Sequence, residues 1–309
     1  MKFYWIDALN EYENTITNGV LRVFETIYKP YARENGFEFE YIDAAGIVPA
    51  SSGKNMILYE GKDILQNQAS VFISYANAQP QLEKILESVT RIAYQSNTWT
   101  IANRTGKGIF LDKDKFAGIS MARELGVPVL PTVIIPSNKK SRTLIKDIEA
   151  VLGAYPYIVK PKEMLAGIGI IKIDSAESFK SILDIVGQSA KDYIAQPFIG
   201  DARDYRVYTD CGKVIACLQR QPADGEYLAS ISRSGKGAGV TAPENIAALT
   251  ETIAGAFGGD YLCVDWLAAG DKFWFSEIES GGGFSALPEP ERGRVAKAFF
   301  NSNRKGSVK

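Results

Sequence analysis

Three carboxylates late in the chain form a set that could bind a cation. Asp265 lies inside the apolar run Tyr261-Leu262-Cys263-Val264-Asp265-Trp266, and Glu277 and Glu279 follow it beyond the short turn Ala269-Gly270-Asp271. Residues two apart on a strand share a face, so Glu277 and Glu279 point one way, and an antiparallel neighbour brings Asp265 beside them. Carboxylates placed together repel one another, and a hard cation that takes oxygen ligands relieves the repulsion. A solvated strand face is the ordinary alternative, and the apolar neighbours Phe273, Trp274, Phe275 and Ile278 argue against it. Cations stand elsewhere in the chain. Lys160 closes the apolar strand Tyr157-Ile158-Val159, and Ala166-Gly167-Ile168-Gly169 follows it. Lys160 could simply reach solvent. It could also face phosphates, with backbone N–H groups of the Gly167 and Gly169 loop cradling their oxygens. Asp204 and Arg206 share a strand face, and Arg220 lies across the Asp210-Cys211-Gly212 turn. These make either a cross-strand ion pair or a guanidinium fork gripping phosphate oxygens.

The composition narrows the chemistry. The chain has 309 residues, 35 Lys+Arg against 36 Asp+Glu, and no histidine. Ser-His-Asp and Cys-His pairs, HExxH sites and His-containing zinc fingers are therefore excluded. Acid–base work falls to Asp, Glu, Lys, Tyr or Cys. Near-neutral charge gives no field for nucleic acid or a membrane surface, and no apolar run reaches the roughly 18–20 residues of a membrane span. The start, Met1 to Ile6, meets Asp7 too early for a secretory signal. Three cysteines, Cys211, Cys217 and Cys263, read as packing thiols of a reducing cytoplasm. Gly53-Lys54 lacks the rest of a Walker A motif, and no GxGxxG sits between a strand and a helix.

The elements that must position these residues read as three units. Residues 1–105 give strand 2–7, helix 11–34 with Ile16, Val20, Ile27 and Tyr31 on one stripe, strands 37–43 and 71–75, a helix through Leu82 and Val89, and strand 99–102. This order predicts an open, mostly parallel α/β sheet. Residues 106–195 give helix 113–125, strands at 131–136, 157–161, 170–173 and 193–199, and two further helices, an α+β lobe. Residues 196–309 give hairpin 204–220, a polar glycine-bearing stretch, a helix through Ile246 and Phe257, hairpin 261–278 and a final helix from about 288.

Taken in order, Asp114-Lys115, Val159-Lys160-Pro161-Lys162 with its glycine loop, Gln196-Pro197-Phe198-Ile199, Val264-Asp265-Trp266 and Glu277-Ile278-Glu279 resemble the ATP-grasp superfamily. The likeness is greatest to its RimK-like and glutathione-synthetase-like carboxylate–amine ligases, over about residues 103–287. The resemblance implies two α+β lobes gripping ATP behind a small α/β N-terminal domain. It implies that Lys115 and Lys160 hold nucleotide phosphates, although Asp112-Lys113 leaves a register shift of two open. Gly167 and Gly169 would close over the triphosphate, and Gln196, Pro197, Phe198 and Ile199 would form the adenine hinge. Asp265, Glu277 and Glu279 would hold Mg²⁺, with Mn²⁺ as an alternative. Arg206 and Arg220 match the family's arginine pattern, and Arg233 would meet a substrate carboxylate or phosphate. The implied activity is amide formation through an acyl phosphate, with release of ADP and phosphate. A kinase or cyclo-ligase outcome and a non-catalytic nucleotide-binding protein are the alternatives. The partners are then a small-molecule or peptide carboxylate and an amine, and a homo-oligomer is allowed. The sequence departs from the pattern at Glu279, where relatives carry Asn, and at Gly281-Gly282-Gly283, where they carry Pro-Gly.

Overall fold

The computed structural model describes residues 1–8, 14–75, 80–102, 114–137, 141–164, 167–222 and 236–302. The first unit contains β1 (Lys2–Asp7), α1 (Asn14–Val23), α2 (Lys29–Glu34), β2 (Glu38–Asp43), β3 (Val48–Ser51), β4 (Asn55–Tyr59), β5 (Lys62–Asp63), β6 (Ala69–Ile73), α3 (Pro80–Gln95) and β7 (Trp99–Ile101). Four of these strands pair in the order β2-β1-β6-β7, all parallel. The expected open parallel sheet is present. Its alternating apolar residues feed two cores. Phe3, Trp5, Phe39 and Phe72 face Phe24, Tyr28 and Ala32 on one side, while Tyr4, Ile6, Val71 and Ile73 face α3 on the other.

Two local features depart from the sequence reading. A π-helical turn, Phe24–Tyr28, joins α1 to α2. Its wider winding turns Phe24, Tyr28 and Ala32 inward, whereas Val20, Ile27 and Tyr31 flank the core. A small antiparallel sheet, β3-β4-β5, fills residues 48–63 and rests on α3. Its strands are short, and only Ile57 among the residues of β3–β5 is fully buried, so no clean alternation announced it.

The second unit holds α4 (Lys115–Glu124), β8 (Val133–Ile135), α5 (Ile145–Leu152), β9 (Tyr157–Pro161), β10 (Ile171–Ile173), α6 (Ala176–Val186) and β11 (Tyr193–Pro197). Its sheet runs β10-β9-β11-β8 and is antiparallel at every pairing. Tyr157, Val159, Ile173 and Ala195 pack under α5 and α6. Lys160 and its register partner Ile194 therefore face away from those helices. Ile194 joins a core shared with the last unit, so Lys160 looks toward that unit too.

The last unit comprises β12 (Arg203–Asp210), β13 (Lys213–Gln221), β14 (Lys236–Gly239), α7 (Glu244–Phe257), β15 (Tyr261–Ala269), β16 (Lys272–Glu279) and α8 (Glu291–Ser302). Its antiparallel sheet has the order β14-β13-β12-β15-β16. One face, with Tyr205, Val207, Val264, Trp266 and Phe275, is covered by α7 and by Ile119 and Ala122 of α4. The opposite face is divided. Tyr208, Leu218, Tyr261 and Cys263 pack under α8 and the first unit, and the remainder carries the charged residues described next.

Candidate functional site: a carboxylate, lysine and arginine cluster between two lobes

The carboxylates meet as their spacing predicts. Asp265 pairs in register with Glu277, and Cys263 pairs with Glu279. Carboxylate oxygens of Asp265, Glu277 and Glu279 lie within 4.8 Å of one another. A bulge makes this arrangement compatible with the core. Trp266 pairs with Phe275 while Asp265 pairs with Glu277, which leaves Ser276 as the extra residue. Phe275 and Ile278, three apart, can then both enter the apolar core, and Glu277 and Glu279 both face the other way.

Two arginines come up from the neighbouring strands. Arg206, opposite Asp265 on β12, clasps it with Nε–Oδ1 at 2.8 Å and Nη2–Oδ2 at 2.7 Å. The same Nη2 lies 2.8 Å from Glu279 Oε1. Arg220 Nη2 lies 2.7 Å from Asp265 Oδ2 and 2.6 Å from Asp204 Oδ1. The cross-strand ion pair, one of the two arrangements the hairpin allows, is thus present as Asp204–Arg220. Asp265 also carries two guanidinium groups, which sequence spacing did not show.

Lysines approach from the second unit. Asp114 caps α4, accepting from Phe116 N and Ala117 N, a cap worth about 1 kcal/mol. Lys115, the first helical residue, is buried; its Nζ donates to the Met164 carbonyl and lies 3.2 Å from Glu277 Oε2. Its backbone N–H donates to the Lys162 carbonyl at 3.1 Å, and Lys162 Nζ pairs with Asp114 at 3.0 Å. The start of α4 and the end of β9 are therefore tied together, which fixes Lys115 relative to Lys160. Lys162, which carries no role of its own in the sequence pattern, is an anchor that becomes legible only once register is known.

Electrostatics follow from this crowding. Burial opposes ionisation of Asp265, but Arg206 and Arg220 overcome it and hold the carboxyl far below the usual range. Burial likewise works against Glu277, and Lys115 holds it below its ordinary value. Burial pushes Glu279 up to about 7 despite Arg206. Burial lowers Lys160 to about 8, with Glu277 opposing the shift. Four carboxylates (Asp204, Asp265, Glu277, Glu279) thus face four cations (Lys115, Lys160, Arg206, Arg220). A polyphosphate entering so balanced a site needs cations of its own to stay neutral. The three carboxylates, with oxygens within 4.8 Å of one another, are the group here that could take a hard divalent ion. Glu277 and Glu279 fit that ion directly, and Asp265 keeps lone-pair capacity beside its arginines.

The segment expected to form the hinge spans the end of β11 and the residues after it. Gln196 is buried and its Nε2 donates to Thr132 Oγ1 at 2.9 Å. Pro197 has no N–H, and Phe198 spends its own on the Pro156 carbonyl at 2.9 Å. Lys172 Nζ sits 5.0 Å above the Phe198 ring. Gly167 and Gly169 both have positive φ, and a Cβ on Gly169 would lie 2.8 Å from Pro161 Cγ. Arg233 and the Asp112-Lys113 alternative fall outside the described residues.

Behind the carboxylates two glycines of the run, Gly281 and Gly282, stand where a side chain has no room. A Cβ on Gly282 would lie 2.4 Å from Cys263 Sγ and 3.2 Å from Glu279 Oε2, and one on Gly281 would lie 2.1 Å from Phe72 Cζ. Gly282→Ala is expected to lower stability by about 1–3 kcal/mol, the range for overpacking. A thermal melt checks this; an unchanged melting temperature would show that the loop simply moves.

The chain matches the RimK-like ATP-grasp domain over residues 112–295. It is 28% identical over 200 residues to the "Probable alpha-L-glutamate ligase 1" of Pseudoalteromonas atlantica (strain T6c), a match covering 63% of this chain and 64% of that relative. The chain thus spans somewhat less than two thirds of that relative's length. Among solved structures, the D-cycloserine synthetase DcsG superposes with a TM-score of 0.71 at 13% identity, covering 98% of this chain and 99% of that one. The ATP-grasp ligase PsnB, complexed with a phosphomimetic variant of its minimal precursor, Mg and ADP, gives 0.62 at 13% identity over 97% and 98% of the two chains. These two likenesses show the ATP-grasp fold. With more than half of its length matched by the family description, the chain belongs to the RimK-like ATP-grasp family.

Proposed function

We propose that this chain is an ATP- and Mg²⁺-dependent ligase that joins a carboxylate to an amine. The observation that carries the reading is the meeting of Asp265, Glu277 and Glu279 with Lys115, Lys160 and Arg220 at the junction of two lobes. Lys115 and Lys160 bind the nucleotide phosphates, and the backbone of the Gly167–Gly169 turn covers them. The hinge from Gln196 to Ile199 takes the adenine edge. Asp265, Glu277 and Glu279 would hold Mg²⁺, which supplies charge neutralisation between the phosphate oxygens when bound.

In the first half-reaction the substrate carboxylate attacks the γ-phosphorus of ATP, the bond to the β-phosphate oxygen breaks, and ADP departs. In the second, an amine attacks the acyl phosphate, the C–O bond breaks, and phosphate leaves with the amide formed. Catalysis is positioning and charge stabilisation. Arg220, shared between Asp204 and Asp265, would meet charge developing on the transferred group, while Arg206 holds Asp265 and Glu279 in place. Arg233 is assigned to the substrate carboxylate or phosphate. The Arg206–Glu279 pair favours a working site over a degenerate one, because the charge added by Glu279 has a partner. L-Glutamate, from the name of the relative, is the first amine to supply.

The test is to mix the chain with ATP, Mg²⁺, L-glutamate and a panel of amino acids and short peptides, following ADP and products by mass spectrometry. ADP together with a new amide is the expected result. No ADP with any pair would overturn the reading, and a stable phosphorylated product would turn it into a kinase.

A further inference from the structure

Strands β1 and β6 are neighbours in the parallel sheet, yet the chain leaves them toward opposite faces. The helical segment after β1 packs with Phe3, Trp5 and Phe72, and α3 after β6 packs with Tyr4, Ile6 and Ile73. In a doubly wound sheet the ligand crevice opens at the carboxyl ends of strands where the winding reverses. Asp7 ends β1 and Ser74 follows β6 at that point. By alternation Asp7 shares the face of Phe3 and Trp5. On this face Phe72, stacked on Trp5 with centroids 4.1 Å apart, meets Gly281, two residues beyond Glu279. Phe72 thus joins the face that Asp7 shares to the glycine run that follows Glu279.

The Asp7 side chain is 6% exposed. It accepts from Ala8 N at 2.7 Å, from Trp5 Nε1 at 3.4 Å and from the Ser74 hydroxyl. No Lys or Arg among the described residues pairs with it. Asp43 stands beside it in register on β2, and the Tyr41 hydroxyl donates to its carbonyl. Burial, with Asp43 adding to it, pushes its carboxyl up to about 7.

We propose that Asp7, with Ser74, is the amine subsite: its carboxylate receives the ammonium of the incoming amine and accepts one proton from it. This rests on the ligase reading. The ammonium gives a proton to Asp7, the freed lone pair forms the C–N bond at the acyl phosphate, and the C–O bond breaks with its electrons on phosphate, which takes the second N–H proton. In a chain without histidine, a buried carboxyl so placed fills the role of base.

The test compares two nucleophiles in Asp7→Asn, which keeps an acceptor for Ala8 N–H but not the charge. With L-glutamate as amine, amide formation falls about 10²-fold or more, the usual weight of a general base, and loses its pH dependence near neutrality. With hydroxylamine, which arrives unprotonated, hydroxamate formation is retained. Equal loss with both nucleophiles, or loss with neither, overturns the proposal. If the wild-type chain forms no hydroxamate with any carboxylate, the ligase reading fails, and a titration that needs no turnover decides the subsite. In the full chain carrying ¹³C-labelled aspartate, methylammonium chloride should lower the Asp7 midpoint by about 1 unit relative to sodium chloride. Identical midpoints in the two salts overturn it.

Discussion

Lys160→Met folds, and its ADP formation falls by about 10²–10³-fold, the loss typical of removing one preorganised electrostatic contact. Lys160 is buried on the face of β9 that looks away from α5 and α6. Methionine fills similar volume, so the change removes charge with little repacking. It also removes a cation that burial already disfavours, so the melting temperature should hold or rise. The wild-type chain offers a second view of the same group. Burial sets Lys160 to about 8, so the cation is present below that pH and is lost as pH rises through it. The kcat/KM for ATP, which reports the free enzyme, should therefore decline above about pH 8. Lys160→Arg, charged throughout, should show no such decline. A Lys160→Met chain that hydrolyses or transfers at the wild-type rate would place Lys160 outside the phosphate site.

Asp265→Asn is expected to damage both stability and turnover. Breaking a buried ion pair by removing one partner costs about 3–5 kcal/mol. The lower end applies here, because Arg206 keeps Glu279 and Arg220 keeps Asp204. Acid should act in the same direction. The Asp265 carboxyl is held below its unfolded value by Arg206 and Arg220 against the cost of burial. Its contribution is therefore complete above the unfolded value and is lost as pH falls toward the folded one. Thermal melts from neutral to acid pH check this, with the difference between wild type and Asp265→Asn narrowing as pH falls. Mg²⁺-dependent ADP formation should be lost in the variant even where it remains folded. A variant as stable as wild type would show that the two arginines find equivalent partners without Asp265.

Much of the positioning was legible in the sequence because it rests on periodicity. The i, i+2 spacing put Glu277 and Glu279 on one face, and the Ala269-Gly270-Asp271 turn brought Asp265 alongside, as the strand register shows. The order of strands and helices over residues 1–105 predicted an open, mostly parallel sheet, and the pairing β2-β1-β6-β7 is parallel throughout. The remainder depends on register and winding, which local pattern does not encode. The bulge at Ser276 hides behind Phe275 and Ile278, whose odd spacing was its one visible sign. The π turn from Phe24 to Tyr28 rotates a stripe that ideal helical spacing assigns to Val20 and Ile27. The bidentate clasp of Arg206 on Asp265 joins residues far apart in sequence, and only the pairing of β12 with β15 reveals it.

In the proposed reaction a carboxylate oxygen is phosphorylated and then leaves with phosphate. The panel is therefore repeated with ¹⁸O-labelled carboxylates, ATP, Mg²⁺ and L-glutamate, and the released phosphate is weighed by mass spectrometry. One ¹⁸O is expected in each phosphate formed along with amide. Phosphate labelled only when the reaction is run in ¹⁸O water, with no label arriving from the carboxylate, would contradict it.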